Sequence, residues 1–198
     1  NQGDVTVDFY RTQFEDQVVV DWEQASHIRF YNLEGSSYAN SFQLEVDYVP
    51  FKNTSLRLAY KNYEVKTTYG TQTLQKPLQP KERFFANFEY RFENEENGSQ
   101  WKADWTYHFV GAQRLPSNSR DGSGFYSNSY GLLNMQLTRV FSNKFELYLG
   151  GENLGNFKQL NPIIGSENPF GTTFDSSLVY APVFGKMFYA GLRFKLNN

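Results

Sequence analysis

The sequence predicts an all-β fold, an antiparallel transmembrane β-barrel segment of about eight strands. Three observations carry that reading. The stretch from Met187 to Leu196 alternates with a period of two: Phe188, Ala190, Leu192, Phe194 and Leu196 fall on one side, and Met187, Tyr189, Gly191, Arg193 and Lys195 on the other, as successive side chains of a strand do. Aromatic residues make up 18% of the chain, yet mean hydropathy is −0.62 and no apolar run approaches the ~18 residues of a spanning helix. Strands that give one side to lipid and the other to water produce that combination. The connections between candidate strands also alternate long and short, as in a chain that runs up and down a membrane. A soluble sandwich could use the same alternation to cover a dry core, but it has no reason to sort its loops by parity.

In chain order, Val5, Val7 and Phe9 alternate with Thr6, Asp8 and Tyr10, a strand expected to continue, with a bulge near Gln13 and Phe14, through 17–21. Residues 22–38 are mixed polar and aromatic, punctuated by Gly35-Ser36-Ser37. Phe42, Leu44, Val46 and Tyr48 oppose Gln43, Glu45 and Asp47 in the cleanest strand, and Pro50-Phe51-Lys52-Asn53 turns the chain. Leu56, Leu58 and Tyr60 then oppose Arg57, Ala59 and Lys61, in a strand that fades near Glu64. A long connection at 67–81 leads to Phe84, Ala86, Phe88, Tyr90 and Phe92, which alternate with Phe85, Asn87, Glu89 and Arg91. After a polar turn at 93–99, Trp101, Ala103, Trp105, Tyr107 and Phe109 alternate with Lys102, Asp104, Thr106 and His108. A polar loop at 111–129 precedes Leu133, Met135 and Leu137, a tight turn at Ser142-Asn143, and Phe145, Leu147 and Leu149. The longest loop, 153–186, leads to the terminal strand. No helical periodicity competes with these elements.

The same composition excludes several function classes. A net charge of −2 and a pI near 5.8 argue against a nucleic-acid partner. There is no cysteine and only two histidines, His27 in a loop and His108 in a strand, so no metal site is expected. Glu45 and Asp47 point the same way along one strand, which suits a solvated wall better than acid–base catalysis. Asp121-Gly122-Ser123-Gly124 neither follows a strand nor opens a helix and is no phosphate cradle. Asn97-Gly98-Ser99 fits the glycosylation pattern but reads as a plain turn. No enzyme activity, catalytic residue or cofactor is expected. The first residues show no signal peptide, and their abrupt entry into a strand suggests a fragment.

Three segments resemble a family: Asp8-Phe9-Tyr10-Arg11-Thr12; Leu33-Glu34-Gly35 leading to Phe42-Gln43-Leu44-Glu45; and Tyr148-Leu149-Gly150-Gly151-Glu152-Asn153-Leu154-Gly155-Asn156. They look like the C-terminal barrel of TonB-dependent outer-membrane receptors, the last being similar to the family's Glu-Asn-Leu-x-Asn signature in the penultimate strand. Residues 188–194 look like its terminal strand, although Lys195-Leu196-Asn197-Asn198 follow where the family often ends on an aromatic. The resemblance covers 1–198 but only the final third or so of a receptor, whose barrel has about 22 strands around a plug. It implies a cell outer-membrane location in a Gram-negative bacterium and active import of a large scarce nutrient (siderophore, vitamin, glycan or peptide). The implied partners are the plug and earlier strands, the TonB complex through that plug, the barrel-assembly machinery through the terminal strand and membrane lipid, with room for a surface lipoprotein.

Three groups of residues follow. Glu45, Asp47, Arg57, Glu89, Arg91, Asp104, His108, Glu146 and Arg193 are expected on the lumen wall, most of them satisfying one another. Phe188, Ala190, Leu192 and Phe194 form the lipid face of the terminal strand. Tyr69, Phe125, Tyr126, Phe157, Phe170, Phe174 and Tyr180 are the loop aromatics that could touch a substrate, with loop packing or an interface girdle as the commoner use of such rings. Two other architectures stay open: a self-contained eight-stranded barrel with a structural or adhesive role, and a soluble β-sandwich or lipocalin-like binder.

Overall fold

The structure is a computed structural model, and it describes residues 2–21, 28–69, 72–92, 99–116, 126–163, 165–172, 174–176 and 178–196, without the side chains of Tyr69 and Gln72. Its strands are β1 (Gly3–Phe14), β2 (Val18–Asp21), β3 (Arg29–Asn32), β4 (Ser37–Tyr48), β5 (Thr54–Tyr69), β6 (Gln72–Gln75), β7 (Glu82–Arg91), β8 (Gln100–Val110), β9 (Tyr130–Val140), β10 (Phe145–Glu152) and β11 (Met187–Phe194). Eight of them form one antiparallel meander in the order β1-β4-β5-β7-β8-β9-β10-β11, with β6 paired to the end of β5. The sheet is open, and β1 and β11 are its two edges.

Register sorts the alternating side chains of all eight strands onto common faces. Tyr48, Leu56, Phe88, Trp105, Met135, Gly151 and Phe188 stand opposite one another in sequence across the sheet, one apolar row from β4 to β11. Val5, Val46, Leu58, Ala86, Tyr107 and Leu133 form a parallel row. Displaced by one residue, Asp47, Arg57, Asn87, Thr106 and Asn134 make a polar row on the opposite face. A slip of one residue in any pair would exchange the faces, so the unbroken rows show that pattern and pairing agree.

Among the described strands, none packs across either face. Every pair of strands in contact is a hydrogen-bonded neighbour, and among the described residues there is no helix or second layer. Among the described residues the buried hydrophobic side chains are Val19, Leu33, Ala39 and Ala103. On the apolar face Phe188 is 70%, Leu192 67% and Leu149 59% exposed. Monomeric soluble proteins rarely leave contiguous apolar patches beyond a few hundred Å² in water. Each such side chain left wet forgoes ~1.5–3 kcal/mol of transfer free energy.

The first strand ends earlier than its pattern suggests. At Asp16 φ is +49°, a left-handed turn that takes the chain out of the main sheet. Val18–Asp21 then pairs with Arg29–Asn32 as a separate hairpin, Val20 opposite Phe30, so the expected continuation through 17–21 is corrected. β5 also outlasts its apolar pattern, because β6 folds back on it with Lys66 opposite Gln75. Backbone pairing, not side-chain patterning, sustains that end.

The ends of the sheet differ. Short turns join β4–β5 at 49–53 and β9–β10 at 141–144, and β7–β8 are joined across 92–99. Long connectors leave the other end between β1 and β4, β5 and β7, β8 and β9, and β10 and β11. Asn53, at φ +65°, makes the first short turn possible, and Thr54 closes it with a hydroxyl bond to the Phe51 carbonyl of 2.5 Å.

Candidate functional site

Several well-buried polar side chains lie in or beside the long connectors. Gln113, Arg114, Ser127, Asn153 and Gln159 are all buried, and each bonds to backbone of another segment. Buried polar groups must find partners, so these side chains fix loop geometry. Asn153, at φ +51°, donates from Nδ2 to the carbonyls of Phe157 (2.7 Å) and Phe184 (3.3 Å) and accepts the Phe157 amide at 2.9 Å. Its own amide bonds Asn134 Oδ1 on β9 at 2.9 Å. One side chain thus clasps both legs of the longest loop to the sheet. Gln159 repeats the device higher up: its amide nitrogen bonds the Leu178 carbonyl (2.8 Å) and its oxygen accepts the Tyr180 amide (2.9 Å).

Three connectors are tied into one cap. Gln113 Nε2 reaches the Tyr180 carbonyl at 3.2 Å, Pro80 bridges Gln113, the Leu78 amide donates to the Arg114 carbonyl at 2.8 Å, and Arg114 Nε donates to the Gln75 carbonyl at 2.5 Å. Residues 72–81, 113–116 and 126–127, and the described residues of 157–184, are therefore tied together at the long-connector end of the sheet.

The loop aromatics divide within that cap. Phe157 stacks on Tyr130 with centroids 5.0 Å apart, a packing role. Tyr180 is anchored through its backbone, whose carbonyl also accepts the Tyr130 hydroxyl at 3.3 Å. Phe170 is fully exposed, and Tyr126 and Phe174 are exposed as well. Phe125 lies outside the described residues, as does the side chain of Tyr69; His27, Asn97-Gly98 and Asp121–Gly124 are likewise outside them.

Below the cap, the polar face is a knitted surface. Arg57 Nε meets Asp47 at 2.6 Å, and Glu146 takes Arg193 at 3.0 Å and Lys195 at 3.5 Å. Glu89 stands opposite Asp104 in register, a like-charge pair answered on both sides: Glu89 accepts from Arg91, and Asp104 accepts from Asn87 (3.0 Å) and Thr106 (3.2 Å). Glu45 accepts from Gln43. His108 lies edge-on to Phe85 at 5.1 Å. Thus Glu45, Asp47, Arg57, Glu89, Arg91, Asp104, His108, Glu146 and Arg193 share one face, while Phe188, Ala190, Leu192 and Phe194 share the other.

Two features of this face were not read from the sequence. Tyr148 stands opposite Gly191, and Tyr189 opposite Gly150. Each ring lies over the facing glycine, where a Cβ would strike it; the rings meet edge-on at 6.2 Å, and Tyr189 donates to Gln136 at 2.9 Å. The second feature is Arg83, opposite Lys61 on β5. Only the register reveals that juxtaposition, since the two lie on different strands. Among the described residues no group of three or more metal-ligating side chains gathers. No protein-family model matches the chain, and no curated protein matches it.

Proposed function

We propose that the chain is an arc of a transmembrane β-barrel in the outer membrane of a Gram-negative bacterium, the C-terminal part of a TonB-dependent transporter that imports a large scarce nutrient. The observation that carries this reading is the uncovered apolar face running through eight register-matched strands, opposite a face whose charges and amides satisfy one another. Hydrocarbon is the solvent that suits the first face, and a watery lumen suits the second. Six of the eight strands have ten to sixteen residues, enough where about 9–11 tilted residues cross a bilayer, and β10 and β11 have eight.

The open sheet favours an arc over a self-contained eight-stranded barrel, because closure would pair β1 with β11 and these are opposite edges. A sandwich would need a second sheet against Phe88 and Trp105, whose strands, β7 and β8, contact only strands of their own sheet among the described elements. Loop parity puts the short turns on the periplasmic side and the cap outside. The resemblance of 148–156 and 188–194 to TonB-dependent receptors supports transport, with the plug, the TonB complex and the assembly machinery as partners. No catalytic group is needed; the wall, the cap and a moving plug suffice.

Arg139 fits the same frame. It lies on the apolar face near the short turns, over Trp101 at 5.2 Å and Phe141 at 5.7 Å, and bonds Ser99 at 2.9 Å. An Arg among aromatics marks the membrane interface, where its head can reach water. The test is folding into detergent or lipid followed by gel electrophoresis with and without boiling. Heat-modifiable migration is expected; folding in plain buffer with no such shift contradicts the proposal.

A further inference from the structure

On the polar face Lys61 and Arg83 meet each other, as Arg91 and Lys102 do nearer the short turns, where Glu89 answers Arg91. Lys61 and Arg83 are a directly opposed cross-strand pair, an arrangement that destabilises a sheet when unanswered. Among the described residues neither side chain makes a hydrogen bond or ion pair; Lys61 only overlies the Tyr63 ring at 5.5 Å. The nearby carboxylates are engaged elsewhere: Glu45 with Gln43, Glu64 with Lys66 and Lys81, and Glu82 with Tyr60 on the opposite face. Both cations are exposed.

The pair also lines two adjoining recesses. One, of about 210 Å³, is closed from the cap side by Gln79 and Pro80; the other, of about 220 Å³, runs down the wall past Phe85 and His108. The roof is held in a costly shape. Leu78, next to Gln79, has φ +56°, which a non-glycine residue keeps only when its surroundings impose it. Here the Arg114 carbonyl and the Pro80–Gln113 bridge do so.

We propose that Lys61 and Arg83 form an oxyanion subsite beneath the 76–80 segment, taking a carboxylate or phosphate group of a small anionic solute. A guanidinium fork beside a mobile ammonium gives two directions of charge-assisted donation, and Tyr63 and Phe85 supply apolar edges for the rest of the solute. The solute's role as cargo rests on the transporter reading; the binding does not.

The test is calorimetric titration of the full chain, folded in detergent micelles, with citrate in one arm and inorganic phosphate in the other. Saturable binding that weakens with added salt is expected, citrate or phosphate preference telling which oxyanion fits. Lys61→Gln and Arg83→Gln should each weaken binding by about tenfold or more, while Lys144→Gln, in a short turn, should not. Both site variants should melt at or above the parent's temperature, because a repulsion is removed. No binding by the parent, or binding indifferent to both substitutions, overturns the subsite; so does a lowered melting temperature in both variants with no anion bound, which would mean that a protein carboxylate answers the pair. Boiled and unboiled gels of the same samples separate the two proposals: a heat-modifiable parent that ignores anions loses only the subsite, and an anion-binding parent without the shift loses only the barrel.

Discussion

On the face that carries Asp47, Asp104 and Glu146, most charged side chains bond to one another; across the middle of the face that carries Phe88, Trp105 and Leu149, apolar side chains touch without such bonds. Phe88 and Trp105 lie 5.7 Å apart and Phe42 and Tyr60 6.5 Å, contacts between neighbours in one sheet that leave Phe88, Trp105 and Tyr60 half-buried and Phe42 exposed. The polar face reaches local satisfaction by pairing Arg57 with Asp47 and Asn87 with Asp104, so water can cover it without finding orphaned groups. The apolar face has no equivalent way to complete itself. Its free energy depends on what lies beyond the sheet, and on the barrel proposal that is lipid, with water on the other side.

Charge placed on either face should expose that difference. Met135→Arg, in the middle row of the apolar face, should cost ~2–4 kcal/mol of folding stability in lipid, as midplane cations do. Gln136→Arg, one residue on and facing the other way, should be within about 0.5 kcal/mol of the parent, as an exposed surface change is; denaturant titration into vesicles reads both. Next in size is the cap. Asn153→Ala strips partners from two part-buried backbone carbonyls and one amide, and should cost ~1–3 kcal/mol while making 157–184 more sensitive to limited proteolysis. Gly150→Val should cost ~1–3 kcal/mol by forcing Tyr189 off its seat, with loss of the tyrosine near-UV signal as a second readout. Leu192→Arg should cost only ~0–1 kcal/mol. Leu192 shares a row with Leu147, Arg139 and Trp101, which on the barrel proposal is the interfacial end of the face. Glu146→Gln belongs at the same small end, since its partners Arg193 and Lys195 are well exposed and such pairs contribute ~0–1 kcal/mol.

How far the sequence could be read depended on whether the information was local. Alternation of Phe42, Leu44 and Val46, or of Trp101, Ala103 and Trp105, is written along one strand, and all eight strands of the meander were legible from it. The hairpin of Val18–Asp21 with Arg29–Asn32 was not, because the run of valines continues the periodicity of β1 and the break at Asp16 is a backbone turn without a glycine or proline to mark it. At the wall, each polar residue's face was legible but its partner was not. That Arg83 opposes Lys61, and that Tyr148 and Tyr189 seat on Gly191 and Gly150, depends on register between strands, which no single strand encodes. Asn153 stood inside a quotable motif, yet its work is to bond Phe157 and Phe184, residues separated by the whole loop.

The most direct test of the sidedness of the sheet is depth-resolved quenching by lipids brominated along the acyl chain. With Trp22 and Trp101 replaced by Phe, Trp105 becomes the sole indole, in the middle row of the apolar face. In reconstituted vesicles it should be quenched most strongly by bromines near the bilayer centre, while an indole introduced by Gln136→Trp, with Trp105 also replaced, should be nearly untouched. A Trp105 emission indifferent to brominated chains, or equal quenching of both indoles, would contradict the assignment of lipid to one face and water to the other.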